Sequence, residues 1–235
     1  FDTCIATRPR FHELYKKARN HHDTTLWTDQ DYRDLAVLFN LSWFGYGTRV
    51  EFPLIEALEE KGSQFSEDDK RKILDTQIAA MRRLYPMYRR LRARGQVEIS
   101  TTPYHHPILP LLIDTDCMER CMPTANRPTR FHFPQDAARH VQLAMENYET
   151  IFGEPPKGIW PAEGSVSPEA IDLFQSEGLH WAVTDEAQLW RSLGDKSTDR
   201  GQLYRPYRLK DDGTALFFRD RDLSDAVGFR YARMD

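Results

Sequence analysis

Cysteine is scarce in this chain: three residues in 235, at Cys4, Cys117 and Cys121. A small, odd number excludes a disulfide framework and leaves the fold to ordinary apolar burial in a reduced setting. Cys117 and Cys121 are four apart and can share a helix face. No second pair or histidine stands at metal-ligand spacing, so no metal site is expected there. Long hydrophobic runs are also missing, and no window approaches a membrane span. Neither sign of charge dominates: 32 Lys and Arg against 36 Asp and Glu give a net charge of −4, with both signs intermixed. That argues against a basic stripe for nucleic acid and against a polybasic membrane patch. No internal repeat, low-complexity tract, interdomain linker or secretory leader is evident. The chain opens on Phe1 rather than methionine, so its native N-terminus is expected to be missing. The length fits one α/β domain of barrel size or two small domains; the chain is read as a single cytoplasmic domain portion over residues 1–235, with neither nucleic acid nor membrane as partner and an oligomeric state on which the sequence is silent.

The elements that are present alternate. Thr28 with Asp31, and Ser66 with Asp69, form capping-box starts. The first opens a helix with Tyr32, Leu35 and Phe39 on one face. The second opens "FSEDDKRKILDTQIAAMRRLYPMYRRLRARG", with an apolar face of Leu74, Ile78, Met81, Tyr85 and Tyr88, a kink at Pro86 and a stop at Gly95. "QVEISTT", Gln96 to Thr102, reads as a short strand. The proline-rich stretch from Pro103 to Pro134 is too long for a plain connector and reads as a functional loop. "QDAARHVQLAMENYETIFG" is a helix with Ala138, Val141, Met145, Tyr148 and Phe152 on one face. "KGIW" is a strand. "SPEAIDLFQSEG" is a helix capped by Ser167, with Pro168 at its first position. "HWAVTD" and "ALFFRD" are strands. Strand, helix, strand, helix, strand predicts a parallel α/β sheet or barrel, in which chemistry gathers at the C-terminal strand ends.

Polar and aromatic side chains do gather there. Past the first strand lie Tyr104, His105 and His106; past the second, Trp160 and Glu163; the third ends in Thr184, Asp185 and Glu186, and the fourth in Arg219 and Asp220. Glu163, in "GIWPAEGSVS", stands between Pro161 and Gly164 in a sharp turn just before a helix. Such a rim suits sugar chemistry. Paired carboxyl groups work across a glycosidic bond, aromatic faces stack on sugar C–H surfaces, and imidazole or guanidinium groups bind hydroxyls or hold a nucleophile ionised. Plainer readings stand beside these. Adjacent His105 and His106 do not both point into one site, Trp160 suits a core as well, Asp185 suits a helix cap, and Arg219 with Asp220 suits a surface pair.

At these residues the chain resembles glycoside hydrolase family 57, in its amylopullulanase and α-amylase-like branches. "GQVEISTTPYHHPILPLL" resembles the family's second signature region and "GIWPAEGSVS" its third. "LFFRDRDLSDAVGF" is similar to the segment that precedes its fourth. The resemblance implies an incomplete (β/α)7 barrel with parallel strands and outer helices. It implies α-glucan cleavage or transfer with retention by double displacement, without metal or organic cofactor. It implies Glu163 as nucleophile, His105 or His106 shaping the first sugar site, and Trp160 beside the nucleophile. The family's His-Gln-Pro first region has no counterpart here, and its acid/base aspartate is expected beyond Asp235. The isolated chain is accordingly expected to be a weak or inactive hydrolase. Two rivals remain open. A metal-dependent polysaccharide deacetylase or α-mannosidase-like enzyme needs an Asp and His set around a divalent ion, for which the adjacent pairs His21–His22 and His105–His106 have the wrong spacing. The other rival is a non-catalytic glucan-binding protein on the same scaffold.

Overall fold

The computed structural model describes residues 2–20, 24–194 and 199–231. Its chain forms two compact units, Phe1–Arg90 and Leu91–Asp235.

The first unit is helical. Thr28 and Ser66 form the capping boxes that the sequence predicts: each side chain accepts from the backbone N–H three residues on, at Asp31 and Asp69, and each of those carboxylates accepts from the cap's own N–H. These boxes start the helices Asp29–Leu41 and Glu67–Arg82. Phe11, Leu14, Val37, Leu38, Leu41, Ile55, Phe65 and Ile73 form the unit's apolar core. Buried against that core is an ion cluster. Asp34, fully buried, accepts from Arg10 Nε at 2.8 Å, Gln30 Nε2 at 2.8 Å and the Phe65 N–H at 3.0 Å. Asp31 accepts from Arg10 Nη2 at 2.6 Å and Lys17 Nζ at 2.7 Å. Burial pushes both carboxyls up, but these donors outweigh it and hold both below their ordinary value.

Two readings of this unit need correction. The long second helix does not bend at Pro86. It stops at Arg82, and a new helix, Leu84–Ala93, begins after Arg83. Proline lacks the N–H that an interior position requires and clashes with the preceding turn. The break moves Pro86 into a first turn, where no donor is needed. The buried face is also different. Leu74, Ile78, Met81, Tyr85 and Tyr88 are exposed, whereas Ile73 and Thr76 are buried. The inner stripe carries polar groups that find partners: Gln77 Nε2 donates to Asn40 Oδ1 at 2.9 Å. Hydrophobic periodicity passes over such a face. In the helix Asp29–Leu41, likewise, Tyr32 and Phe39 are exposed while Asp31, Asp34, Val37 and Leu38 are buried.

The second unit is α/β. Three parallel strands, β1 (Gly158–Ile159), β2 (Trp181–Asp185) and β3 (Ala215–Arg219), lie in that order. Ile159 pairs with Ala182, and Asp185 with Arg219. The helix Pro134–Phe152 precedes β1 and the helix Pro168–Ser176 joins β1 to β2. Ile159, Ala182 and Leu216 of the strands pack with Val141, Ala170, Ile171 and Phe174 of those helices and with Leu109 and Ile113. Gly158 is required by close approach: a Cβ there would stand 2.0 Å from the Trp181 ring. The α/β reading holds, with three strands among the described residues where the resemblance implies a seven-stranded barrel. Gln96–Thr102 is not a strand. Only Thr101 bridges, in parallel, to Ile159, because β1 offers just two residues to pair with and Pro103 stops any extension. No helix among the described residues is long and apolar enough to cross a membrane.

The ion cluster yields a prediction. A carboxylate whose folded pKa is depressed contributes stability above its ordinary value, 3.8 for Asp34, and loses it as pH falls towards the folded value. Urea unfolding should therefore show the first unit weakening below about pH 4. Asp34→Ala should remove about 3 kcal/mol at neutral pH, because it leaves Arg10 Nε and the Phe65 N–H without their acceptor. Unchanged stability in this variant would remove the cluster from the account of the fold.

Candidate active site

The site is built on the C-terminal ends of the three strands. β1 runs out at Ile159, and Trp160 N–H donates to the Thr101 carbonyl at 2.8 Å. Pro161 then turns the chain into the short helical turn Ala162–Gly164. Glu163 has φ 55° and ψ 20°, the left-handed conformation, and Gly164 follows at φ 65°. An ordinary side chain at φ > 0 is uncommon and costs energy, and such residues concentrate where the surrounding structure fixes a functional group. The turn is closed by Gly164 N–H to Pro161 O at 2.8 Å and Ser165 N–H to Ala162 O at 3.0 Å. Ser167, whose hydroxyl accepts from the Ala170 N–H, caps the following helix. Glu163 is thus lifted off the regular elements, with its side chain three-quarters exposed.

The turn opens onto a cavity of about 820 Å³ whose lining includes Trp160, Glu163, Asp185, Arg191, Arg219 and Arg221. Asp185 and Arg219 are register partners on β2 and β3. Arg219 Nε donates to Asp185 Oδ2 at 3.0 Å, and Arg219 also bonds Asp225 at 3.2 Å. Arg221 forks onto both oxygens of Asp185. Burial pushes the Asp185 carboxyl up, but Arg221, the Ala187 N–H and Arg219 together hold it below its ordinary value. Asp185 therefore does two things at once: it caps the helix Glu186–Ser192 and presents an ionised oxygen pair to the cavity. Asp225, like Glu163 and Asp185, borders the cavity, so three carboxylates face three guanidinium groups there.

The two adjacent histidines separate as their positions in the chain suggest. Both are left-handed, at φ 62° and 57°. His106 Nε2 lies 3.4 Å from Glu163 Oε1 while its Nδ1 meets the Thr102 hydroxyl at 3.2 Å. His105 turns the other way, its ring against Tyr104 at 4.6 Å and against His140 at 5.9 Å between centroids. Tyr104 is in turn held by hydrogen bonds with His140. So Glu163, His106, Trp160, Asp185 and Arg219 come together, whereas Tyr104 and His105 form a separate aromatic group with His140. The Asp220 side chain caps the helix Arg221–Asp225 and takes bonds from Arg200 at 2.7 Å and Tyr204 at 2.8 Å. The Leu223 N–H, with Tyr204 and Arg200, holds its pKa down to about 2.

Sequence reasoning passed over Arg191, Arg221 and Asp225. Arg221 and Asp225 follow β3 within "LFFRDRDLSDAVGF" and were legible as residues past a strand end; Arg191 lies in the last turn of a helix and carried no signal. Among the described residues, no group of three or more His, Cys, Asp or Glu side chains is arranged to hold a metal ion. His21 and His22 lie outside the described residues.

Residues 8–235 match the glycosyl hydrolase family 57 model. The chain is 27% identical over 123 residues to alpha-amylase 1 of Dictyoglomus thermophilum, covering 52% of this chain and 14% of that protein. It is 26% identical over 194 residues to a 1,4-alpha-glucan branching enzyme of Thermococcus kodakarensis, covering 72% of this chain and 26% of that protein. Among solved structures, the alpha-amylase AmyC of Thermotoga maritima superposes with a TM-score of 0.51 at 19% identity, over 84% of this chain and 32% of that one. This last likeness is one of fold. The chain spans between 14% and 26% of the length of these two curated relatives.

Gly164 offers a test of the turn. A Cβ there would meet nothing closer than 3.7 Å, so space is available and only the positive φ resists it. Gly164→Ala should cost about 1–2 kcal/mol in chemical denaturation. A neutral result would mean that the turn is not left-handed at this position.

Proposed function

We propose that this chain, which belongs to glycosyl hydrolase family 57, carries the nucleophile of a retaining α-glucan-active enzyme, and that the nucleophile is Glu163. One observation carries the reading. Glu163 is held in a left-handed turn at the end of β1, exposed to a polar cavity, with an imidazole against one carboxylate oxygen. The names of the relatives, an alpha-amylase and a 1,4-alpha-glucan branching enzyme, support α-glucan as the substrate class. The charge balance of the cavity supports it too: Asp185 and Asp225 are paired with Arg219 and Arg221, which suits a neutral polyhydroxyl ligand better than an anionic one.

In this reading Glu163 acts as a carboxylate. One oxygen attacks the anomeric carbon of an α-linked glucose while the bond to the leaving oxygen breaks. The product is a β-glucosyl ester on Glu163, and a second carboxyl group protonates the departing oxygen. Water then attacks the ester in hydrolysis, or a glucan hydroxyl in transfer, and Glu163 is released. His106 meets Oε1 and leaves Oε2 free to attack. Trp160 supplies an apolar face for the sugar. Asp185 and Arg219, already locked by each other and by Arg221, bind hydroxyls from fixed positions and cost little reorganisation. Asp185 is poorly suited to be the proton donor, because two guanidinium groups stabilise its ionised form.

The experiment uses Glu163→Ala in the polypeptide that carries this chain, with an activated α-glucoside. Turnover should fall by at least about 10³-fold. Added azide should restore it by attacking from the vacated face to give a β-glucosyl azide. Wild-type turnover in the variant would rule Glu163 out as nucleophile.

A further inference from the structure

We propose that Thr184 is a positioning residue for the nucleophile: its hydroxyl, acting through the carbonyl of Gly164, fixes the turn that aims Glu163. The inference rests on the nucleophile reading above.

Thr184 is fully buried on β2. Packing alone does not call for a hydroxyl there, since valine has the same branched shape and the same preference for strands. The hydroxyl has a definite partner. Thr184 Oγ1 donates to Gly164 O at 2.6 Å, a short bond made out of contact with water. Buried polar groups need such partners, and an unpaired carbonyl at this depth is costly. Gly164 is itself buried and directly follows Glu163, so the bond holds the peptide next to the nucleophile. The Trp160 ring packs nearby: a Cβ on Gly164 would lie 3.7 Å from that ring and 3.9 Å from Thr184 Oγ1.

The arrangement links two halves of the site. Thr184 points towards the turn beneath Glu163, and its neighbour Asp185 points into the cavity. Side chains alternate along a strand, so one rigid element references both groups. Of the two consecutive left-handed residues, Glu163 and Gly164, only Glu163 carries a side chain, and the cost of its positive φ falls on the surrounding contacts. Thr184 does not line the cavity and touches no substrate. Its effect is on where the Glu163 carboxylate stands, and small displacements of a reacting group have large kinetic consequences.

The test compares wild type, Thr184→Val and Thr184→Ser for covalent trapping by an activated fluorinated α-glucosyl fluoride, followed by intact mass and peptide mapping. Fluoride leaves without much proton help, so the limiting trapping rate reports on the attacking carboxylate. Folding of each variant is checked by circular dichroism. Thr184→Val should lower the limiting rate per folded molecule by about 10–100-fold, at an unchanged half-saturating reagent concentration. Thr184→Ser should stay within about threefold of wild type, because it keeps the hydroxyl. A merely structural role would lower the amount of folded protein without this split. Labelling of Glu163 by Thr184→Val at the wild-type rate would overturn the positioning role alone. A wild-type adduct on another residue, or none, would overturn the nucleophile reading and this inference with it. If Thr184→Val does not fold, the pair Thr184→Ser and Thr184→Ala isolates the same hydroxyl, with the same difference in limiting rate expected and equal rates contradicting it.

Discussion

The site depends on one backbone constraint: the left-handed pair Glu163–Gly164, held where β1 ends. An α-helix or strand would have carried the Glu163 side chain along its own direction. The reversal instead lifts the carboxylate clear of the sheet and returns the chain directly to the capped helix beginning at Pro168. Everything that meets Glu163 is arranged around that turn. Trp160 and Pro161 lead into it, the Thr184 hydroxyl holds it from below, and His106 reaches it from a second pair of left-handed residues. Positive-φ residues other than glycine persist where the surroundings over-determine them. Of the four such residues among those described, three are His105, His106 and Glu163.

The electrostatics of the cavity follow from strand register. Because Asp185 and Arg219 are partners across β2 and β3, their side chains meet without a long search through rotamers. Arg221, two residues on, completes a fork onto the same carboxylate. This pairing keeps Asp185 ionised and rigid. Glu163, by contrast, has an imidazole beside one carboxylate oxygen. A neutral carbohydrate needs such fixed donors and acceptors more than it needs net charge.

Much of this was legible in the residues. The capping boxes at Thr28 and Ser66, the helix start at Ser167 and Pro168, and the strands ending at Asp185 and Arg219 come from local chemistry, which the structure keeps. The place of Glu163 in a turn between Pro161 and Gly164 was legible for the same reason. The rest depended on contacts distant in sequence. The inner face of the helix Glu67–Arg82 carries Thr76 and Gln77, so the apolar residues mark the wrong side. Gln96–Thr102 has strand-like composition but only Thr101 finds a partner. Which of His105 and His106 meets Glu163 is decided by backbone conformation, and periodicity does not report it. Thr184 was legible only as one of the polar residues at a strand end; its bond to Gly164 is visible only once β2 lies against the turn.

The most direct test of the central claim is to locate the covalent intermediate. The polypeptide carrying this chain, trapped with the fluorinated α-glucosyl fluoride and digested, should yield one modified peptide. Its single glucosyl ester should map to Glu163 within "GIWPAEGSVS". A glucosyl ester on any other carboxylate, or a folded and catalytically active protein that forms no ester at all, would contradict the account.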